Sequence, residues 1–210
     1  MHIVVFANGE QSKKTTLEEF TKVADLIVAA DGGVNKALDS SISPDLIIGD
    51  MDSIFEDSKN RLQKSKFLTD KNPQKTDLEK TIEFCLAKGA TSIDILCANG
   101  GRGDHALANL SILVRFGKSA RIRIIDDFFE TELITDEMQL KEPLGTIVSL
   151  VAIGACQGVT TTGFRWNLSE ANLKFSTQGI HNEIVSAQAT IKVGAGDMLL
   201  FKGRWIEKHT

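Results

Sequence analysis

Short apolar runs alternate with amphipathic segments over roughly the first 125 residues of the chain. The apolar runs predict six strands, at residues 2–7, 26–30, 45–49, 66–69, 92–98 and 121–126. Apolar positions with helical spacing predict helices at residues 16–25, 34–40, 76–88 and 104–116. Because near-continuous apolar strands that alternate with helices are covered on both faces, the pattern predicts an α/β fold with a doubly wound, mostly parallel, Rossmann-like sheet.

The pattern changes near Phe128, and no convincing helical spacing follows it. The later apolar runs are short and alternate with polar residues, as in TIVSLVAI and ATIKVGAGDMLLF, and glycines separate them. Short alternating strands with frequent turns predict an antiparallel sandwich or barrel. We therefore predict two domains, residues 1–130 and 131–210, of which the first is α/β and the second is all β.

Composition and charge exclude several classes of partner. The 210 residues carry a formal net charge of −4, and their basic residues form no run, which argues against binding to nucleic acid or to a membrane surface. No apolar stretch approaches the roughly 20 residues of a transmembrane helix. The first residues, MHIVVFANGE, are expected to form a strand and not a signal peptide. Cys85, Cys97 and Cys156 lie in apolar runs, which is typical of reduced, buried thiols and indicates a cytoplasmic location.

Four aspartates follow predicted strands in the first half: Asp31, Asp50, Asp52 and Asp77. Carboxylates grouped at the carboxyl edge of a sheet make a hard-oxygen site for Mg²⁺, and Mg²⁺ usually accompanies phosphate groups. In GDMDS (residues 49–53) an extended backbone would aim Asp50 and Asp52 in the same direction. The alternative for this motif is an Asp-rich loop that caps the next helix. The set of aspartates indicates phosphoryl or pyrophosphoryl transfer.

Glycine-rich turns follow the predicted strands as well. ADGG (residues 30–33) and the pair Asn8 and Gly9 either bring backbone N–H groups close to a phosphate or form ordinary strand-to-helix turns. ANGGRGDH (residues 98–105) is more specific, since Arg102 offers two donors to a phosphate and Asp104 adds a carboxylate. This segment matches neither the dinucleotide fingerprint nor the phosphate loop that ends in GK[ST].

Thr76 and Asp77 stand at the start of a long predicted helix, where capping is a sufficient explanation for both. The alternating topology, however, brings this helix start toward GDMDS, and Lys80 lies one turn further along. Lys80 is therefore expected to face the same cleft and to meet phosphate. In the second half, Trp166 is a candidate to stack on a flat ligand, although core packing or turn chemistry is the better explanation of its segment taken alone.

Five motifs, in order along nearly the whole chain, resemble those of the thiamine pyrophosphokinase family. They are ADGGxN, PDLIIGDMDS, TD-L-xK, GGRxDH and a distal GFxWxL…NE. The resemblance implies an α/β catalytic domain followed by a β-sandwich domain, which agrees with the domains derived above. It also implies transfer of the β,γ-pyrophosphoryl group of ATP to thiamine, with release of AMP, a requirement for Mg²⁺, and a homodimer whose sites lie where the subunits meet.

The resemblance assigns roles to individual positions. The residues implied to be catalytic are Asp50, Asp52, Asp77, Arg102 and Asp104, of which Asp50, Asp52 and Asp77 are also implied to bind the metal. The positions expected to bind ATP or thiamine are Asn8, Asp31, Gly32, Thr76, Lys80, Gly101, Ser176, His181 and Asn182. Two positions depart from the family pattern: Gln74 replaces a frequent acidic residue, and His181 replaces the serine of SNE in bacterial relatives.

Two other functions share some of these features. A Mg²⁺-dependent phosphohydrolase acting on a nucleotide would use the same carboxylates but needs no pocket for a second substrate. A non-catalytic sensor of nucleotide or thiamine would bind the same ligands, but loss of a metal ligand would be expected in it. Asp50, Asp52 and Asp77 are all present.

Overall fold

The chain divides into two units, Met1–Asp127 and Phe128–Thr210, in a computed structural model that describes residues 1–206 apart from the side chains of residues 59 and 60. The sequence placed the division between residues 130 and 131, close to this point. Each unit has its own secondary structure and its own buried core.

Six strands form the sheet of the first unit. They are β1 (His2–Phe6), β2 (Leu26–Ala30), β3 (Leu46–Gly49), β4 (Lys66–Thr69), β5 (Ser92–Leu96) and β6 (Arg121–Ile125). All are parallel to their neighbours, in the order β4-β3-β2-β1-β5-β6. The strand order reverses beside β1, which pairs with β2 on one side and β5 on the other. In open α/β sheets a ligand crevice forms at such a reversal, outside the carboxyl ends of the strands.

Five helices connect these strands. They are α1 (Lys14–Thr21), α2 (Gly33–Asp39), α3 (Glu56–Arg61), α4 (Asp77–Ala87) and α5 (Gly103–Phe116). Leu17 of α1 and Val34 of α2 pack in one buried cluster with Val4 and Phe6 of β1. Helix α4 contacts β2 and β3, and α5 contacts β6. The sequence pattern did not predict α3, whose six residues contain no apolar side chain.

The second unit consists of antiparallel strands. They are β7 (Phe129–Ile134), β8 (Glu137–Leu140), β9 (Thr146–Thr162), β10 (Ala171–Lys174), β11 (Asn182–Glu183), β12 (Ala189–Lys192) and β13 (Ala195–Ile206). The long strand β9 pairs with β13 along its first part and with β12 at its end. It therefore connects the strands that pair with β13 to those that pair with β12. Ile134, Val148, Ile191 and Leu200, each from a different strand, are buried in one core.

The predicted fold class is confirmed: a doubly wound, parallel α/β unit precedes an antiparallel β unit. Within residues 1–206, none of the helices combines the length and the apolar character that crossing a membrane requires.

Candidate active site

A pocket of about 700 Å³ lies at the carboxyl ends of β1, β2 and β5, where the strand order reverses. The turns that follow these three strands line it together with the first turn of α4 and the start of α5. The polar and glycine residues that line it are Asn8, Gly9, Glu10, Asp31, Gly32, Ser53, Thr76, Asp77, Gly100, Gly101, Arg102, His105 and Asn109.

Seven of the residues predicted from the sequence line this pocket: Asn8, Asp31, Gly32, Thr76, Asp77, Gly101 and Arg102. Asp50, Asp52, Lys80 and Asp104 belong to the same unit but are not among the lining residues. Ser176, His181 and Asn182 belong to the second unit. Glu10 lines the pocket although no motif pointed to it.

Asp31, Asp50 and Asp77 form a group of carboxylates suited to a metal ion. One oxygen from each side chain lies within 4.8 Å of the others. The group differs from the predicted metal ligands because it contains Asp31, whereas Asp52 is exposed and its Oδ1 accepts a hydrogen bond from Ser53 Oγ at 2.8 Å. The expected extended backbone is interrupted at Met51, whose φ is 70°, and Asp52 is not a member of the group that contains Asp50.

Asp31 provides the strongest sign that this group fits a cation. Its side chain is buried, and Oδ2 accepts a hydrogen bond from the Ser53 backbone N–H at 3.2 Å. Oδ1 is also buried, and no donor within the described residues reaches it. A buried carboxylate oxygen without a partner costs free energy unless a donor or a cation satisfies it. Two further carboxylates beside it make a cation the natural partner.

Asp77 and Thr76 are held at the start of α4. Thr76 is the N-cap, and its Oγ1 accepts a hydrogen bond from the Glu79 backbone N–H at 3.2 Å. The Asp77 Oδ1 accepts a hydrogen bond from Lys80 Nζ at 2.9 Å. Burial raises the pKa of the Asp77 carboxyl, and the hydrogen bond from Lys80 opposes this shift. The sequence suggested two features for this helix start: a cap and a position close to the GDMDS loop. Both are present, since Thr76 caps the helix and Asp77 is grouped with Asp50.

Glycine turns form part of the pocket wall. A Cβ on Gly32 would lie 2.3 Å from Asn8 Nδ2, so a side chain there would displace the Asn8 side chain. Gly101 has a φ of +66°, a conformation that side chains other than glycine seldom adopt, and open space surrounds it. Backbone close to an open cavity allows the direct approach of an anion.

Arg102 and Asp104 form an exposed ion pair beside the pocket. Arg102 Nε and Nη2 donate to the two oxygens of Asp104 at 3.1 and 2.6 Å. The hydrogen bond from Arg102 lowers the pKa of the Asp104 carboxyl to about 2, and the same contact raises the pKa of the guanidinium. The predicted roles of Arg102 and Asp104 are thus linked, because the carboxylate fixes the orientation of the guanidinium.

In the second unit, Asn182 joins two segments that the sequence singled out separately. Its Nδ2 donates to the Trp166 carbonyl at 2.7 Å, and its Oδ1 accepts from the Trp166 backbone N–H at 3.2 Å. The Trp166 ring remains 60% exposed. His181 has a φ of 62°, and its backbone N–H donates to Ser149 Oγ at 2.9 Å. Ser176 Oγ accepts from the Gln178 backbone N–H at 3.3 Å.

Family models and known proteins match both units of this chain. The family model for the catalytic domain of thiamin pyrophosphokinase matches residues 17–125, and the model for its vitamin B1 binding domain matches residues 134–197. Thiamine pyrophosphokinase of Bacillus subtilis is 26% identical over 208 residues, which are 95% of this chain and 97% of that protein. Thiamine pyrophosphokinase 2 of Oryza sativa subsp. japonica is 32% identical over 206 residues, 84% of this chain and 77% of that protein.

Among solved structures, a crystal structure of thiamine pyrophosphokinase from Bacillus subtilis superimposes with a TM-score of 0.83 and 26% identity, covering 98% of this chain and all of the other. The family and the class of enzyme predicted from the motifs are confirmed by these similarities. Matches to both domains and to relatives over most of their length show that this chain belongs to the thiamine pyrophosphokinase family.

Proposed function

We propose that this protein transfers the β,γ-pyrophosphoryl group of ATP to the hydroxyl of thiamine, which gives thiamine diphosphate and AMP. The observation that carries the proposal is the group of Asp31, Asp50 and Asp77, with its unpartnered Asp31 oxygen, beside a pocket that contains glycine turns and Arg102. A chain of this family with this group has the parts that pyrophosphoryl transfer needs: ligands for a divalent cation, donors for phosphate and a cationic side chain.

The cation is proposed to be Mg²⁺, because the ligands are carboxylate oxygens, which are hard. Asp50 and Asp77 belong both to the group in the structure and to the ligands expected from the sequence. Asp31 and Asp52 would complete the carboxylate set. Held by these carboxylates, the ion would supply positive charge that offsets the negative charge of the phosphates.

ATP is proposed to occupy the pocket of the first unit. Asn8, Gly32, Thr76 and Gly101 line it and would lie against the nucleotide. Arg102 would donate to phosphate oxygens, where a guanidinium fits the oxygen pair and offsets the charge that develops during transfer. The second carboxylate of that turn, Asp104, would hold the guanidinium in position.

In the transfer step, the thiamine hydroxyl oxygen forms a bond with the β-phosphorus while the bond from that phosphorus to the oxygen of AMP breaks. The hydroxyl proton passes to solvent or to a carboxylate of the site, and Asp77 and Asp104 are two of the carboxylates that the resemblance implies to be catalytic. Asp104 is a weak base, because its pKa is lowered to about 2. Asp77 belongs to the proposed metal group, and its Oδ1 already accepts the hydrogen bond from Lys80. Asp104 is therefore assigned to orienting Arg102.

Thiamine is proposed to bind the second unit through the segment that contains Ser176, His181 and Asn182. Trp166, which Asn182 holds through two hydrogen bonds, presents an exposed ring in the same region of the sequence and structure. The face of an indole ring attracts a cation, and the thiazolium ring of thiamine is cationic. The first unit would then serve ATP and Mg²⁺, and the second would serve thiamine.

We also propose a homodimer in the cytosol. Trp166, Phe175 and Ile180 are each at least half exposed, and exposed large apolar side chains are common on surfaces that meet a ligand or a second subunit. Cys85, Cys97 and Cys156 are free and buried, as expected of a protein in a reducing compartment. Light scattering coupled to size exclusion would measure the oligomeric state.

The function is tested by release of AMP from Mg²⁺-ATP, with and without thiamine, and by the mass of the thiamine product. One AMP for each thiamine that gains two phosphates is expected. ADP with singly phosphorylated thiamine would place the attack at the γ-phosphorus and overturn the mechanism. Hydrolysis of the nucleotide without thiamine would favour the phosphohydrolase, and ligand binding without turnover would favour the sensor.

A matched pair of variants ties the activity to the carboxylate group. Asp50→Asn keeps the size of the side chain but removes a charged ligand, and it is expected to lower turnover at least about 100-fold. Asp57→Asn is the control, since Asp57 is exposed in the first turn of α3, outside the group. Equal activity of the two variants would refute a role for the carboxylate group.

A further inference from the structure

Lys80 is a buried lysine next to the carboxylate group, but it does not line the pocket. Its side chain is 5% exposed. Its Nζ donates to Asp77 Oδ1 at 2.9 Å and to the Asp70 backbone carbonyl at 3.0 Å. The sequence predicted that this ammonium meets phosphate, whereas the structure directs it to a carboxylate of the proposed metal site.

We propose that Lys80 is a positioning residue, which holds Asp77 in the orientation that binds the metal and makes no direct contact with phosphate. The inference rests on the proposed function, since it assumes that Asp77 is a metal ligand. The lysine of the TD-L-xK motif then supports the metal site by orienting one of its ligands.

The contacts of Lys80 disfavour a direct contact with phosphate on energetic grounds. The Asp77 carboxylate and the Asp70 carbonyl use two of the three ammonium N–H groups. These two bonds hold the ammonium against Asp77 and Asp70, and a buried charge that loses its partners carries a large cost. The hydrogen bond to Oδ1 also limits rotation of the Asp77 carboxylate, while the remaining lone pairs stay available to a cation.

The charge of Lys80 has two opposing effects on the binding of a metal ion. Three carboxylates and one ammonium sum to a formal charge of −2, which one divalent cation balances. Removal of the ammonium would reduce repulsion toward the cation but would leave three like charges close together without a fixed geometry. Residues that orient metal ligands usually change metal affinity by about 10–100-fold when they are replaced. We therefore expect loss of orientation to outweigh the reduced repulsion.

The test measures Mn²⁺ binding to the whole protein by electron paramagnetic resonance, without nucleotide or thiamine. Lys80→Met is expected to weaken Mn²⁺ binding at least about tenfold relative to the unmodified protein. Lys75→Met is the matched control: Lys75 precedes the same helix, is partly exposed, and pairs with Glu83 at 2.6 Å. Its Mn²⁺ affinity is expected to remain that of the unmodified protein. Circular dichroism verifies that each variant is folded.

A second measurement distinguishes positioning from phosphate binding. ATP binding in the presence of a chelator is expected to be the same for Lys80→Met and Lys75→Met. Weaker metal-free ATP binding only in Lys80→Met, with unchanged Mn²⁺ affinity, would show that Lys80 binds phosphate and would overturn the inference. Tighter Mn²⁺ binding in Lys80→Met would overturn it too, because charge alone would then explain the effect.

Lys80→Gln is measured in the same way if Lys80→Met does not fold, since glutamine keeps an N–H donor without the charge. Mn²⁺ affinity below that of Lys75→Met supports positioning, and equal or higher affinity refutes it. If the proposed function itself is wrong, the unmodified protein will bind no Mn²⁺ and will release no thiamine-dependent AMP. That outcome differs from every outcome that refutes the role of Lys80 alone.

Discussion

The side-chain amide of Asn35 donates a hydrogen bond to the Ser53 backbone carbonyl at 2.9 Å. Its Oδ1 accepts from the Phe55 backbone N–H at 3.2 Å and from Ser58 Oγ at 2.9 Å. Asn35 is buried in α2, so one amide connects this helix to the loop that follows β3. Ser53 in turn donates to Asp31, and the contacts together fix the GDMDS loop beside the end of β2.

Replacement of Asn35 is expected to affect both stability and the site. Asn35→Ala leaves buried donors and a carbonyl without partners, which costs about 1–3 kcal/mol of unfolding free energy. Turnover measured well below the unfolding midpoint should also fall, because the loop that carries Asp50 is released. Urea unfolding and thiamine-dependent AMP release check the two effects.

Asn72→Ala is the control, because Asn72 is exposed and its side chain accepts a single hydrogen bond, from the Gln74 backbone N–H. That variant is expected to keep wild-type stability and turnover. Reduced stability of Asn35→Ala with full turnover would show that Asn35 supports the fold but not the site.

The order of strands and helices could be predicted from the sequence, because the periodicity of apolar residues reflects burial directly. The predicted strands at residues 26–30 and 66–69 match β2 and β4, and the other strands of the first unit differ only at their ends. Helix α3 was missed because its residues EDSKNR have no apolar face. Leu62, which follows α3, is the residue that joins the buried cluster.

The membership of the carboxylate group could be predicted only in part. Asp50 and Asp77 follow from their places directly after β3 and at the first residue of α4. Asp31 stands in the group where the sequence placed Asp52, and the backbone near both positions has angles that residue types do not specify: the φ of 40° at Asp31 and of 70° at Met51. The contacts of Lys80 with Asp77 likewise depend on the burial of its side chain, which the charged sequence DLEK does not reveal.

The pH dependence of turnover should not report the ionisation of Asp104. Its pKa is lowered from 3.8 to about 2, so the carboxylate stays charged throughout the neutral and mildly acidic range. Asp104→Asn is therefore expected to lower turnover by releasing Arg102, without moving the acidic midpoint of the profile of kcat/KM against pH. A shift of that midpoint in Asp104→Asn would assign the acidic limb to Asp104 and contradict its role in orienting Arg102.

Arg102→Ala is expected to lower kcat about 100-fold, because it removes the donor itself. This loss is expected to be larger than that of Asp104→Asn. Arg115→Ala serves as its control, since Arg115 lies in the last turn of α5, the helix that Arg102 precedes. Arg115 is 55% exposed and pairs with Glu79, away from the lining of the pocket. Steady-state kinetics at saturating thiamine would compare the two variants, and equal values of kcat would argue against a role for Arg102 in transfer.

The three thiols are expected to be unreactive in the folded protein. Burial raises the pKa of Cys85 to about 12 and also raises the pKa of Cys97 and Cys156. Since the thiolate is the reactive form, a disulfide reagent at pH 8 should label the native protein slowly and label all three cysteines in urea.

The same shift predicts a loss of stability at high pH. The folded state keeps the Cys85 thiol protonated up to a pKa of about 12, whereas the unfolded chain ionises near 9.0. The stabilising contribution is therefore complete below pH 9 and declines as the pH rises from 9 toward 12. Cys85→Ala should show a weaker decline in that range by urea unfolding, and an unchanged decline would assign the alkaline loss to other groups.

Binding of thiamine is expected to quench the fluorescence of Trp166. The indole ring is exposed, and the two hydrogen bonds between Asn182 and the Trp166 backbone hold the loop that presents it. Trp166→Phe should abolish the quenching, whereas Trp205→Phe, the other tryptophan variant, should retain it. Asn182→Ala should weaken thiamine binding about tenfold, or about 1.4 kcal/mol, because the loop loses its support. Quenching that disappears in Trp205→Phe and persists in Trp166→Phe would place thiamine away from the Asn182 segment.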